Sequence, residues 1–163
     1  MTEVSIGKEF LELAIEIERN GRFFYEAVAR LNRNNAEVTR SFSALAVREQ
    51  EHENTFRDML VRLGGYTPGQ QYAGEHYQYI KDLARSSIFT GERVQAVISD
   101  RPMTDLEALE TGIGFEKDSI LFYSEIRGMV PPQDHDIVDI IINEERKHLS
   151  ELTYMVGRVR SST

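Results

Sequence analysis

Val47-Arg-Glu-Gln-Glu-His-Glu-Asn-Thr-Phe56 reads as charged surface helix until its periodicity is followed. Alternating three- and four-residue steps carry one stripe through Phe42, Leu45, Glu49, His52, Phe56, Met59 and Leu63, the seam of an amphipathic helix that should be dry. A glutamate and a histidine thus stand where a core-facing helix offers apolar side chains. The interruption recurs on a second stripe, Val138, Ile141, Glu145, His148, Leu152 and Met155. Two more stripes each carry one glutamate: Leu11, Ala14, Glu18, Gly21, Tyr25, Val28, and Leu109, Gly112, Glu116, Ser119, Tyr123, Ile126.

Around these stripes, four amphipathic segments at about 6–31, 36–63, 105–128 and 134–158 are long enough, at about 1.5 Å per residue, to run the length of a small domain. The third opens with a capping box, Thr104-Asp-Leu-Glu107, and the fourth follows Pro131-Pro132 with Asp134 or Asp136 as its cap. Short connections, around Asn32 to Asn35 and Gly128 to Pro132, predict two antiparallel hairpins. Residues 64–104 are too long for a turn and too apolar for a disordered linker, so they predict a crossover along the bundle, with a short helix from Tyr72 to Leu83. The expected fold is all-α: one four-helix bundle domain spanning residues 1–163.

The balance of 27 Asp and Glu against 19 Lys and Arg, a net charge of −8, argues against a nucleic-acid partner, because phosphate binding needs concentrated positive charge. Cysteine is absent, which excludes disulfides, thiolate zinc sites, iron–sulfur clusters and cysteine nucleophiles within these residues. No segment approaches membrane-spanning length, and the first residues carry acidic groups rather than a basic leader, so the expectation is a cytoplasmic protein without membrane contact.

Four carboxylates and two imidazoles directed into one apolar interior need compensation, since an unpaired buried carboxylate costs several kcal/mol or neutralises itself. Two divalent cations would balance four carboxylates, with neutral imidazoles completing the coordination. Glu-x-x-His suits this role because residues three apart share a helix face. The halves overlay: Glu18 to Phe24-Tyr25 matches Glu116 to Phe122-Tyr123, and each is followed by Glu-x-x-His, as in an internal duplication. Tyr25 and Tyr123, seven residues beyond the solitary glutamates, either hydrogen-bond ligand carboxylates or simply fill the core. Gly21 and Ser119 either leave a cavity for a small oxidant or let helices pack closely. Phe24 and Phe122 fall off the stripes as packing residues, His76 and His135 fall outside them as surface residues, and Glu51, Glu53, Glu144 and Glu151 read most simply as solvated helix charge, with an entry path for cations as the other use for some of them.

The segments AIEIERNGRFFY (14–25), REQEH (48–52), GFEKDSILFY (114–123) and NEERKH (143–148) resemble the rubrerythrin-like branch of the ferritin-like di-iron carboxylate proteins, and the likeness covers nearly the whole chain. It implies a ferritin-like bundle with Glu18 and Glu116 as terminal ligands, Glu49 and Glu145 as bridges, and His52 and His148 as nitrogen ligands to two non-haem iron ions. The ligand set would also accept manganese or zinc. The implied activity is reduction of hydrogen peroxide, with ferroxidase chemistry toward dioxygen close to it. The rival is a non-catalytic iron-binding or storage protein, or a bundle whose metal is structural. A homodimer is the assembly considered. Two departures stand out. The cysteine-ligated rubredoxin domain of rubrerythrins proper has no counterpart in these 163 residues, so the electron donor is expected to be separate. The additional glutamate they carry one turn beyond the third-helix ligand is replaced by Ser119, with Gly21 at the matching position of the first half.

Overall fold

Each of the four interrupted stripes is the inner face of a long helix. The computed structural model describes residues 6–31, 35–86, 90–99 and 102–162. Among them lie α1 (Ile6–Leu31), α2 (Ala36–Leu63), α3 (Glu75–Ser86), α4 (Gly91–Ser99), α5 (Asp105–Ile126) and α6 (His135–Ser161), with short 3-10 turns and no strand. Local chemistry sets several of the ends. Asn35 caps α2, its side chain accepting from the backbone N–H groups of Glu37 at 3.0 Å and Val38 at 3.3 Å. Residues 32–34 of the expected polar turn lie outside the described residues. The capping box of α5 is present: Glu107 N–H donates to Thr104 Oγ1 at 3.1 Å, and Thr104 N–H to Glu107 Oε2 at 2.9 Å.

The start of α6 departs from expectation. Asp134 occupies the cap position, yet its side chain makes no cap hydrogen bond. It is buried and accepts instead from Arg62 of α2 at 3.2 Å, so an inter-helix ion pair has taken the carboxylate away from the helix end.

α1 pairs along α2 and α5 along α6, and α1–α5 and α2–α6 contacts close the bundle. The seam is filled by Phe10, Phe24, Phe42, Phe56, Phe115 and Phe122, all essentially inaccessible, each burial stabilising by roughly 1.5–3 kcal/mol relative to exposure. Phe24 packs edge-on against Phe42 and Phe122 against Phe10, the packing role expected of the two phenylalanines.

Among its described residues the crossover contains two α-helices where one was expected. α3 begins three residues later than the predicted Tyr72 and buries Ile80, while Tyr77 lies edge-on to Phe10 and donates to Glu9 Oε2 at 2.6 Å. Lys81 Nζ reaches Glu9 Oε1 at 2.9 Å, so α3 is fastened to α1. α4 packs on α1 through Val94, its only fully buried side chain among those described. One buried anchor among the described side chains of α4 is too weak a periodic signal to stand out in sequence. His76 is half-exposed beside Glu125, while His135 is half-buried between Arg127 and the Val130 carbonyl. Among the described residues no helix is long and apolar enough to cross a membrane.

Candidate metal centre

Glu18 on α1, Glu49 and His52 on α2, Glu116 on α5, and Glu145 and His148 on α6 converge in the middle of the bundle. All four carboxylates are fully inaccessible, and the histidines are 2% and 7% exposed. The six form two overlapping groups, Glu18/Glu49/His52/Glu145 and Glu49/Glu116/Glu145/His148. In each group every residue offers a donor atom, and these atoms lie within 4.8 Å of one another, close enough to hold a cation. Glu49 and Glu145 belong to both groups.

Several donors face the shared space without hydrogen-bond partners: Glu18 Oε2, both oxygens of Glu49, Glu116 Oε2, Glu145 Oε1 and His52 Nδ1. His52 Nδ1 lies 2.8 Å from Glu145 Oε1, near enough for an ion pair but without the alignment of a hydrogen bond. His148 Nδ1 lies 2.9 Å from Glu145 Oε2. Orphaned buried oxygens are costly, so their convergence is the observation that fits a pair of bound cations.

Without metal the cluster must hold protons. Burial, reinforced by neighbouring carboxylates, raises Glu49 and Glu116 well above the ordinary carboxylate value and raises Glu18 as well. Burial alone would lower the histidines, but Glu145 and Glu18 push His52 up to about 12, and Glu116 and Glu145 push His148 up to about 10. Glu145 moves the other way: burial is outweighed by the two imidazolium neighbours, and its carboxyl is held well below the usual range.

The outer oxygens of the solitary glutamates are held by the tyrosines, crosswise between the halves. Tyr25 on α1 donates to Glu116 Oε1 on α5 at 2.5 Å, and Tyr123 on α5 donates to Glu18 Oε1 on α1. Both hydroxyls are buried, and burial beside a carboxylate raises them well above their ordinary value, which keeps them donors. Each glutamate therefore has one oxygen fixed and the other turned to the shared space. Of the two readings of the tyrosines, the geometry combines both: the rings fill core and the hydroxyls hold carboxylates.

Two glutamates read as solvated charge are otherwise. Glu53 is 4% exposed and clamped by Arg57 at 2.7 Å and Arg19 at 3.3 Å, with Arg22 at 3.8 Å, tying α1 to α2 beside the centre. Its carboxyl is lowered: burial would raise it, but the hydrogen bonds from Arg57 and Arg19 prevail. Glu144 is half-exposed and lies 2.6 Å from His52 Nε2, the ring nitrogen facing away from the cluster. Glu144 sits off every stripe and meets a residue 92 positions away, so periodicity gave no signal for it. Glu51 and Glu151 are exposed, as expected.

The cavity considered at Gly21 is absent. A Cβ built there would lie 2.2 Å from Phe115 Cζ and 3.0 Å from Glu49 Oε2, so an aromatic ring from α5 already fills the space. Ser119 is buried, and its hydroxyl has no hydrogen-bond partner. The groove along the outer faces of α1 and α2, lined by Arg22, Glu26, Arg30, Ser43 and Glu51 among others, includes none of the six.

A four-helix bundle with two hairpins, a helical crossover and a two-part site of buried carboxylate and imidazole is the architecture of the ferritin-like di-iron carboxylate class. The chain belongs to the rubrerythrin family, whose sequence profile matches residues 9–156. A crystal structure from Thermotoga maritima at 2.30 Å, described as that of a ferritin-like diiron-carboxylate protein, superposes with a TM-score of 0.65 at 27% identity over 98% of this chain and 97% of that one. No curated protein matches the chain.

Proposed function

We propose that this protein binds two iron ions and reduces hydrogen peroxide with electrons from a separate donor. The observation that carries the reading is the division of six buried side chains into two ligand groups sharing Glu49 and Glu145. In this reading Glu18 and His52 would serve one ion and Glu116 and His148 the other, while Glu49 and Glu145, which belong to both groups, would be shared between them. Two ferrous ions held there would supply one electron each, and with two protons taken up these would reduce one peroxide to two waters.

The chain's own residues do the rest. Tyr123 and Tyr25 fix one oxygen of Glu18 and Glu116, leaving the other for metal, and donate only while protonated. Phe56 and Phe115 keep bulk water from the seam. With no cysteine in the 163 residues, no thiolate-held iron here can pass electrons inward, so sustained turnover requires an external reductant. Nitrogen and oxygen ligands also accept manganese and zinc, and the metal is settled by elemental analysis of protein from iron-replete cells.

The test mixes ferrous-loaded protein with limiting peroxide in the absence of oxygen. About one peroxide should be consumed per two irons, and the reaction should then stop until a reductant is added. Unlimited turnover without reductant would contradict the mechanism. Inertness toward both peroxide and dioxygen would favour the rival, a bundle that stores iron or is braced by it. Rapid oxidation by dioxygen alone would favour ferroxidase chemistry.

A further inference from the structure

The centre looks two-fold symmetric by its ligands, but the surroundings of its two imidazoles differ. His52 turns Nδ1 toward Glu18, at 3.5 Å, and Glu145, at 2.8 Å, while its Nε2 is 2.6 Å from Glu144 Oε2. A carboxylate can only accept, so Nε2 must carry the proton and donate. The lone pair of neutral His52 is thereby placed on Nδ1, the atom that faces the cluster.

His148 lacks this arrangement. Its Nδ1 also faces the carboxylates, at 2.9 Å from Glu145 and 3.8 Å from Glu49 and Glu116. Among the described residues no hydrogen-bond partner meets its Nε2. The duplication explains the difference: Val47-Arg48-Glu49 aligns with Asn143-Glu144-Glu145, so the position that would serve His148 holds Arg48. A guanidinium has only donors and cannot accept from an imidazole N–H. Arg48 is instead exposed and paired with Glu51 at 2.8 Å.

A carboxylate behind a metal-ligating histidine fixes its tautomer and orientation and makes the other nitrogen a better ligand; losing it typically costs about 10–100-fold in metal affinity. We propose that the two metal positions are inequivalent, the position served by His52 loading first and more tightly because Glu144 holds that imidazole ready, while the His148 position fills second. Glu144 is a positioning residue in this scheme, acting through His52. The inference rests on the proposed assignment of the six ligands but not on any reaction with peroxide.

The experiment titrates Co2+ into the metal-free full chain at fixed pH, following visible absorption and heat. Wild type should take up about two Co2+ in resolved steps, and Glu144→Gln should weaken the first step about 10–100-fold while leaving the second nearly unchanged. His148→Ala should retain the first step, and His52→Ala should lose it. Proton NMR of the singly loaded protein provides a signature that general destabilisation would not mimic. One shifted imidazole N–H should exchange slowly with deuterated water in wild type and rapidly in Glu144→Gln, with unchanged helicity by circular dichroism. Two equal steps in wild type, a first step indifferent to Glu144→Gln, or its loss in His148→Ala would overturn the inequivalence. Uptake of one Co2+ or none by wild type would instead overturn the ligand assignment beneath it.

Discussion

Replacing Gly21 by alanine tests how tightly the centre is enclosed. In a helix interior this exchange normally stabilises by about 0.5–1 kcal/mol, because alanine gives up less backbone freedom on folding. At Gly21 the new methyl would stand 2.2 Å and 2.6 Å from two ring carbons of Phe115 and 3.0 Å from Glu49 Oε2. The ring cannot withdraw freely, being fully buried and packed edge-on against Tyr25 at 5.8 Å. Overpacking of this kind costs about 1–3 kcal/mol. Gly157 supplies the control, an exposed helical glycine whose added Cβ would meet nothing within 4 Å. Gly157→Ala should therefore stabilise, and Gly21→Ala should be less stable than Gly157→Ala by about 1–3 kcal/mol, since the propensity gain is common to both. The assay is urea unfolding of the metal-free proteins. Phe115→Leu should relieve the clash, giving a coupling of about 0.5–3 kcal/mol in the double-mutant cycle. If Gly21→Ala stabilises as much as Gly157→Ala and shows no coupling to position 115, the ring does not fill that space.

Tyr123→Phe and Tyr25→Phe strip Glu18 and Glu116 of their hydroxyl donors, so each should lower metal-free stability by about 1–3 kcal/mol in urea unfolding and weaken metal uptake. Stability unchanged from the unsubstituted protein in both variants would mean that water reaches these carboxylates. Stability should also depend on pH in opposite senses with and without metal. The raised carboxylates Glu18, Glu49 and Glu116 contribute stability that is fully present below the ordinary carboxylate value of 4.5 and lost as pH rises through their folded values. His52 and His148 contribute below their ordinary 6.5 and lose that contribution as pH climbs toward about 12 and about 10. Glu145, being lowered, acts oppositely, contributing above 4.5 and losing stability as pH falls through its folded value. Between mildly acidic and mildly alkaline pH the folded metal-free chain thus binds more protons than the unfolded one, and its stability should fall by about 1.4 kcal/mol per pH unit for each excess proton. Metal must displace those protons, so the gain in melting temperature on loading should grow with pH; a gain independent of pH would refute the proton-filled centre.

The stripe through Glu49 and His52 made the bundle legible because a helix repeats its faces every few residues whether or not its neighbours are known. The four polar interruptions in phase placed Glu18, Glu49, Glu116, Glu145 and both Glu-x-x-His pairs on inner faces, and the matching halves brought them to one level. That Thr104 caps α5 was equally local. Contacts perpendicular to the helix axes carry no period, and they decided the remainder. Glu144 and Glu53 look identical in sequence to the exposed Glu51, yet one meets His52 across the bundle and the other lies under three arginines. Asp134 chose Arg62 over its own helix end for the same reason. Gly21 reads either as space or as close helix packing until the Phe115 ring is seen to lie against it. Sequence by itself determined which side chains point inward, since that depends on spacing along one chain; only the tertiary structure decided which inward and lateral groups meet, since that depends on how helices from two halves are set against each other.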